Sequence, residues 1–431
     1  MTVQQPRHVM DTGPLPAHVP DADLVDHYAA SGAQAESLLY LSLGENWKGP
    51  PSGLIKALHE AVPSYAHGYT LSPYGLPALR DALQDYIVQS HRLNEYACGQ
   101  IGVAVSQAGT RAAMYDFARL LLRRPRPPEA VLVPSPGWDY AGVIAPLGYH
   151  VIPYPLDEHS QGQPDLAVLH RLLAHHPRAL IVVNPQHNPT GVEWSVPVVQ
   201  DILRTAVSCG TAVLVDDAYY AVVSPGCTPT NSLALLAAAT ADTDLPWLGV
   251  RTLGKQFNCN GWGIGALTAR PALLAALADA TLERTFGTGM PLQAAMATWL
   301  TDPASSAFVT QLRHVLAVHR RHVTARLHTD LGYPPEAVQT GTCTSYLRYR
   351  VPPNWARGGS DELYRRRAAE AGVVVGRGSM IHTSEGTGTW VRLHLAQPRR
   401  ALDLAMDRLH DADLTWHLDA GPHEDHVRRH Q

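Results

Sequence analysis

The sequence predicts an α/β protein: a mostly parallel, doubly wound sheet in a large domain, and a smaller α/β domain built from both ends of the chain. Two observations carry this expectation. Short runs rich in Val, Ile and Leu alternate with helical patterns through the middle of the chain, as strands buried on both faces and their crossover helices require. Four of these runs are followed at once by polar, aromatic and turn-forming residues, which an open sheet gathers at the carboxyl ends of its strands, where ligands sit.

The strand-like runs lie at 130–133, 179–183, 212–215, 247–250 and 264–268, and all five read as parallel strands. Helical patterns fall at 111–122 and 196–208. The chain ends differ in character. Residues 23–65, together with the α/β alternation at 344–349, 362–371, 373–375 and 390–395, read as the smaller domain. The expected division is a flexible arm at 1–22, small-domain segment at 23–65, large domain at 66–305, small domain again at 306–410 and a polar tail at 411–431. Pro6, Pro14, Pro16 and Pro20 keep the arm from folding regularly.

Composition narrows the function. A formal net charge of −4 gives no sign of a nucleic-acid or anionic-membrane partner. No apolar run reaches the roughly 18 residues that span a bilayer, and no signal-peptide core opens the chain. Five scattered cysteines without C-x-x-C spacing fit reduced thiols, so a cytoplasmic protein is expected. The tail carries His417, His423, His426 and His430 with no packed element beside them, so no metal site is expected there. No repeat recurs at solenoid period, and no G-x-G-x-x-G follows an early strand, which argues against a dinucleotide-binding oxidoreductase.

Only three lysines occur against 31 arginines. Arginine cannot lose its proton at accessible pH, whereas a desolvated lysine becomes a neutral amine able to add to a carbonyl. One of the three, Lys255, follows the fourth run in Arg251-Thr252-Leu253-Gly254-Lys255. The other runs lead into Pro134-Ser135-Pro136-Gly137-Trp138, into N-P-Q-H-N-P-T-G at 184–191, and into Asp216-Asp217-Ala218-Tyr219. Upstream stand G-Y-T-L-S-P-Y-G at 68–75 and Gln107-Ala108-Gly109-Thr110-Arg111, the latter between an apolar segment and a helix; downstream stands Val391-Arg392-Leu393.

With these motifs in this order, the chain resembles the fold-type I pyridoxal-phosphate enzymes of the class I/II aminotransferase family, from about residue 40 to residue 400. The resemblance implies pyridoxal 5′-phosphate bound to Lys255, with Lys255 also moving the proton from the substrate Cα. It implies that Asp216 faces the pyridine nitrogen, that Tyr219 and Asn188 bond the phenolic oxygen, and that Trp138 stacks on the ring. Gly109, Thr110 and Arg111 at a helix start, with Thr252, hold the phosphate, as helix N-termini do. Arg392 grips the substrate α-carboxylate, with Asn188 beside it, in a bidentate fork. The strip Leu43-Gly44-Glu45-Asn46-Trp47 lies over the substrate, with Glu45 or Asn46 touching it. Tyr69, with Tyr74 as its rival, reaches the phosphate of a neighbouring subunit, so a homodimer with shared active sites is expected.

One position departs from the family. A phosphate-binding arginine stands eight residues after the lysine in the family, and Gly263 stands there here. Arg251 or Arg111 is expected to compensate. The expected reaction transforms an L-amino acid through an external aldimine and a Cα carbanion. Transamination is the first reading. Elimination, replacement, cyclisation or oxidation at Cβ or Cγ, on an amino acid such as S-adenosylmethionine or arginine, is the alternative. A non-catalytic binding module is disfavoured by the retention of Lys255 together with Asp216.

Overall fold

Strands form where the apolar runs lie, and helices on both faces bury them. The computed structural model describes residues 21–31, 37–42, 44, 48–64, 72–106, 108–157, 162–285, 287, 289–356, 360–379 and 389–416. Eight strands make the main sheet, in the order Gly102–Ser106, Gly265–Ala269, Trp247–Thr252, Ala212–Asp216, Leu180–Val183, Ala130–Ser135, His150–Asp157 and Gln163–Pro164. The five strands from Trp247–Thr252 to His150–Asp157 run parallel. Every residue of Leu180–Val183 and of Ala212–Asp216 is buried, as strands covered on both faces must be.

The covering helices show why the sequence folds this way. Val196–Ser208 turns Val199, Ile202, Leu203 and Ala206 inward at helical spacing. Gly109–Leu121 does the same with Met114, Phe117, Ala118 and Leu121. Both expected helices are therefore present, to within two residues at each end.

One direction departs from expectation. The run at 264–268 forms Gly265–Ala269, which pairs antiparallel with both of its neighbours. It is as fully buried as the parallel strands, so its composition is the same and carries no sign of direction. The strand His150–Asp157 was not among the five runs, because Pro153, Pro155 and an alternating burial pattern interrupt its apolar character.

The smaller unit has a four-stranded antiparallel sheet, in the order Val338–Gln339, Tyr346–Arg350, Trp390–His394 and Gly376–Arg377. Side chains alternate across it. Leu347, Tyr349, Val391 and Leu393 face a core shared with Leu402, Ala405, Met406 and Leu409 of the helix Arg399–Asp411. Leu39–Tyr40 pairs parallel with Val373–Val374, which ties the start of the chain to its end. A buried ion pair between Asp21 and Arg365 reinforces that join.

Packing moves three of the expected boundaries. The helix Ser52–Ser64 places Leu54, Ala57 and Ala61 in the larger core, so 23–65 does not belong wholly to the smaller unit. Asp21 and Ala22 are folded parts of the smaller unit and not part of an arm. At the other end, Leu414 is fully buried and Trp416 lies against Tyr333, so the structured chain extends beyond 410. The helix Pro303–Thr329 bridges the units, with Phe308 and Val309 against the larger core and Leu316, Val323 and Leu327 in the smaller one. No helix among the described residues is long and apolar enough to cross a membrane.

Candidate active site

The carboxyl ends of the parallel strands bring the singled-out residues together. Asp216 ends its strand in full burial, and Tyr140 donates to its Oδ2 at 2.8 Å while the Ala218 amide donates to Oδ1 at 3.1 Å. Burial raises the carboxyl above its ordinary range, and the Tyr140 bond, the Ala218 amide and the charge of Lys255 offset part of that rise. Lys255 stands in the single turn Gly254–Phe257 that follows the strand Trp247–Thr252. Gly254 is needed there, since a Cβ would stand 2.7 Å from the Asn260 Cα.

Asn184 links two strand exits. Its Nδ2 donates to the Asp216 carbonyl at 2.7 Å and its Oδ1 accepts from the Asn188 amide at 2.9 Å. Asn188 in turn accepts from Arg392 Nη1 at 3.1 Å, and Arg392 Nη2 donates to the Ser42 carbonyl at 3.2 Å. The Arg392 guanidinium lies 4.1 Å from the centre of the Tyr346 ring, and its Nε is buried without a partner among the described residues. A chain of bonds therefore runs from Arg392 through Asn188 and Asn184 to the main chain of Asp216.

Tyr219 is buried beside Tyr346 and Ser345, yet its hydroxyl has no well-formed hydrogen bond. Burial holds that phenol well above its usual range. His394 faces Lys255 and Arg392, and burial together with those two charges keeps it neutral. Gly44 packs so closely here that a Cβ would stand 2.6 Å from Tyr346 Oη and 3.1 Å from Lys255 Nζ. The strip expected over the substrate thus reaches the lysine at Gly44, although Glu45 and Asn46 themselves lie outside the described residues.

The other end of the site is the start of the helix Gly109–Leu121. Gly109 has φ of +79° and donates its amide to the Gly263 carbonyl at 2.6 Å. Gly263 has φ of +62°, so the loop after the lysine closes on this turn through main chain rather than through a side chain. The first-turn amides of Thr110 and Arg111 have no backbone partner among the described residues. Thr252 is close to the lysine turn, its hydroxyl accepting from the Gly254 amide at 3.3 Å. Arg111 pairs with Asp139 at 2.9 Å and lies 4.7 Å over the Trp138 ring. Trp138 meets Tyr140 edge-on at 5.2 Å.

Arg251 does not serve the phosphate turn. Its buried guanidinium is bound to Ser90 at 2.8 Å and to Tyr86 and Gln256 at 3.1 Å, on the side of the helix Pro77–His91. Thr252 follows it in the strand, and successive side chains point to opposite faces. Tyr69 lies outside the described residues, as do Gln107 and the tail histidines. Tyr74 packs against the larger core beneath Arg80 within its own chain. Among the described residues, no cluster of three His, Cys, Asp or Glu side chains could hold a metal, and the five cysteines are free.

Tyr140, Ser345, Tyr346 and His394 were missed in the sequence, and Asn184 was read only as the first residue of its motif, with no role assigned. Tyr140 has a faint signal, standing two residues past Trp138 at a strand exit; the others come together only in the fold.

These residues fit the ring end of pyridoxal phosphate. Lys255 and Tyr219 line one cavity with Gly44 and His394, and the buried Asp216 carboxylate lies within reach of the Lys255 charge. The helix start fits the phosphate through neutral amides and hydroxyls, with Arg111 as the nearest cation among the expected phosphate ligands.

The profile of the family Aminotransferase class I and II matches residues 37–409. A curated relative, the probable N-succinyldiaminopimelate aminotransferase DapC of Mycobacterium tuberculosis, is 27% identical over 71% of this chain and 74% of its own. The LL-diaminopimelate aminotransferase of Gloeobacter violaceus is 24% identical over 89% of this chain and 93% of its own. The solved structure of N-succinyldiaminopimelate aminotransferase from Mycobacterium tuberculosis superposes with a TM-score of 0.75 at 24% identity, over 92% of this chain and 98% of that one.

Proposed function

We propose that this chain, which belongs to the class I and II aminotransferase family and is a pyridoxal-phosphate-dependent transferase, transfers the amino group of an L-amino acid to a keto acid. The observation that carries the reading is that the Lys255 charge reaches both the buried Asp216 and His394, while Arg392, whose charge also reaches His394, bonds Asn188. Bound at Lys255, pyridoxal phosphate supplies an electron sink for the pair left on the substrate Cα when its proton departs.

The chain's own groups do the rest. Freed when the substrate amine takes its place on the cofactor, Lys255 Nζ would accept the Cα proton and deliver it to the cofactor carbon that had carried the aldehyde. Asp216 holds a proton on the ring nitrogen; a cation facing this carboxylate restores the ionised form that burial alone disfavours. The Tyr219 hydroxyl gains in the phenolic oxygen the partner it lacks, with Asn188 as second donor. Trp138 stacks on the ring. Gly109, Thr110, Arg111 and Thr252 hold the phosphate. Arg392 and Asn188 orient the α-carboxylate so that the Cα proton points at Lys255, and Glu45 or Asn46 closes over the substrate. Both relatives bear the names of aminotransferases acting on diaminopimelate or its N-succinyl form, which supports amino-group transfer.

The protein is further proposed to work as a cytoplasmic homodimer, with Tyr69 lent to the partner's phosphate site. The test is product analysis of a single turnover across a panel of amino acids. One keto acid per active site, with the chromophore restored by adding a keto acid, supports the reading. Loss of a side-chain fragment without retention of the amino group on the cofactor overturns it. Arg111 has its own test: Arg111→Ala should weaken pyridoxal phosphate binding roughly 10-fold or more, the worth of a charge-assisted bond. Unchanged affinity would show that amides and hydroxyls suffice.

A further inference from the structure

The helix Pro303–Thr329, which crosses from one unit to the other, carries a cation that no carboxylate answers. Arg320 is buried at 5% exposure, and among the described residues it forms no ion pair. Its guanidinium donates instead to the carbonyls of Cys343 at 2.8 Å and Thr344 at 2.5 Å, and to Ser224 Oγ at 3.1 Å. A charge held among neutral acceptors is costly to bury, and burial does act against this one. Arg313, about two turns earlier, donates from Nε to the Val223 carbonyl at 2.7 Å.

The segments held in this way continue two of the site motifs. Residues 222–224 follow Tyr219, and residues 342–345 lead into the strand Tyr346–Arg350. The two segments are tied together, the Thr344 amide donating to the Val222 carbonyl at 3.1 Å and the Ser224 amide to the Thr342 carbonyl at 2.7 Å. Val222 in turn donates its amide to the Tyr219 carbonyl at 2.8 Å. On the other side, the amides of Thr342 and Cys343 both donate to the Gly191 carbonyl, at 2.9 and 3.0 Å. The Gly191 amide donates to the His187 carbonyl at 2.8 Å, closing a turn around Asn188. Thr344 itself stands at φ of +65°, a region that β-branched residues avoid, and its Oγ1 accepts from the Tyr346 amide at 3.2 Å. Such a conformation persists where its surroundings over-determine it, and it gathers at sites that need a fixed geometry.

We propose that Arg320 is a positioning residue: by holding the Cys343 and Thr344 carbonyls it fixes the strained turn, and through that turn it sets Tyr219 and Asn188 against the phenolic oxygen of the cofactor. The proposal rests on the reading of those two residues as the partners of that oxygen. Arg320 acts through main chain, along the bonds from Thr344 to Val222 to Tyr219 and from Cys343 to Gly191 to His187. Only a planar fork of donors reaches all three acceptors at once; an ammonium is a point charge and satisfies fewer. Hydrogen bonds donated to the phenolic oxygen draw off its negative charge and weaken the hold of the chromophore on its proton. Loosening them therefore moves the colour change of the loaded enzyme to higher pH.

The experiment titrates the absorbance of the pyridoxal-phosphate-loaded enzyme with pH, alongside its thermal unfolding. Arg320→Lys should raise the midpoint of the colour change by roughly one pH unit, the equivalent of one hydrogen bond, and lower kcat roughly 10-fold with KM changed less. Ser224→Ala removes one of the three acceptors and keeps the main-chain bonds, so it should move the midpoint the same way by less. Gly53→Val, which disturbs helix packing in the larger unit, is the control: it should lower the unfolding midpoint and leave the colour change in place. An Arg320→Lys variant that behaves like Gly53→Val would overturn the proposal, because that is the mark of a residue that only stabilises the fold. Should Arg320→Lys fail to fold, Ser224→Ala decides: a raised midpoint supports the proposal and an unmoved one overturns it. Tyr219→Phe tests the reading beneath. If it leaves the colour change unmoved, the role of Tyr219 fails and this proposal with it. A shift in Tyr219→Phe with none in Arg320→Lys leaves that role standing and removes Arg320 alone.

Discussion

Asp217 shows how far adjacent residues can part in role. Asp216 points into the pocket, while Asp217 is buried on the other side, accepting from Ser232 at 2.7 Å near Arg251. Burial pushes Asp217 from 3.8 up to about 7 and Glu193 from 4.5 up to about 7. Burial and nearby arginines push His91 and His187 from 6.5 down to about 3. The signs oppose. Between pH 6.5 and 3 the unfolded chain binds histidine protons that the folded chain refuses, so stability falls on acidification. Between about pH 4 and 7 the folded chain keeps carboxyl protons that the unfolded chain has lost, so stability rises on acidification. Asp217→Asn removes one of the latter. Its unfolding midpoint, compared with the unaltered protein at pH 6 and pH 5, should therefore drop more on acidification, by up to about 1.4 kcal/mol per pH unit. Parallel profiles would show that Asp217 stays ionised in the fold. The sequence marked Asp216 over Asp217 through its motif alone. The bonds by which Tyr140 and the motif residue Asn184 fix Asp216 were not legible, because they span 76 and 32 residues.

Among the elements, the strand exits were legible and the closures were not. Polar residues directly after an apolar run can be read from sequence, because an open sheet places them at one edge. The close contacts depend on glycines whose reason appears only in three dimensions. Gly53 in the helix Ser52–Ser64 lets it approach the helix Met290–Thr301, where a Cβ would stand 2.6 Å from a ring carbon of Trp299. Gly53→Val should cost roughly 1–3 kcal/mol through overpacking, seen as a lower unfolding midpoint with the chromophore of the loaded enzyme retained. A variant of unaltered stability would mean that the helices part freely. Gly263 carries the same lesson at the site. The sequence showed a missing arginine; the fold shows a carbonyl on the Gly109 amide in its place.

For the whole molecule, the fold class followed from alternation of runs and helices, and the profile match and the solved relative agree with it. Direction of the strand Gly265–Ala269 and the allegiance of the helix Ser52–Ser64 did not follow, since burial on both faces looks alike for either direction and an amphipathic helix does not name its partner. The assembly of one pocket from both units rests on Lys255, and here the composition gives an unusually clean test. Borohydride reduction of the loaded enzyme, followed by digestion and mass spectrometry, locates the lysine that carries the cofactor. Only Lys48, Lys56 and Lys255 compete. Lys255→Ala should leave no reducible adduct and lower activity by roughly 100- to 10,000-fold or more, the range that a positioned general base contributes. A pyridoxyl group on Lys255 alone is the predicted result; a label on Lys48 or Lys56, or an adduct that survives in Lys255→Ala, would contradict the account.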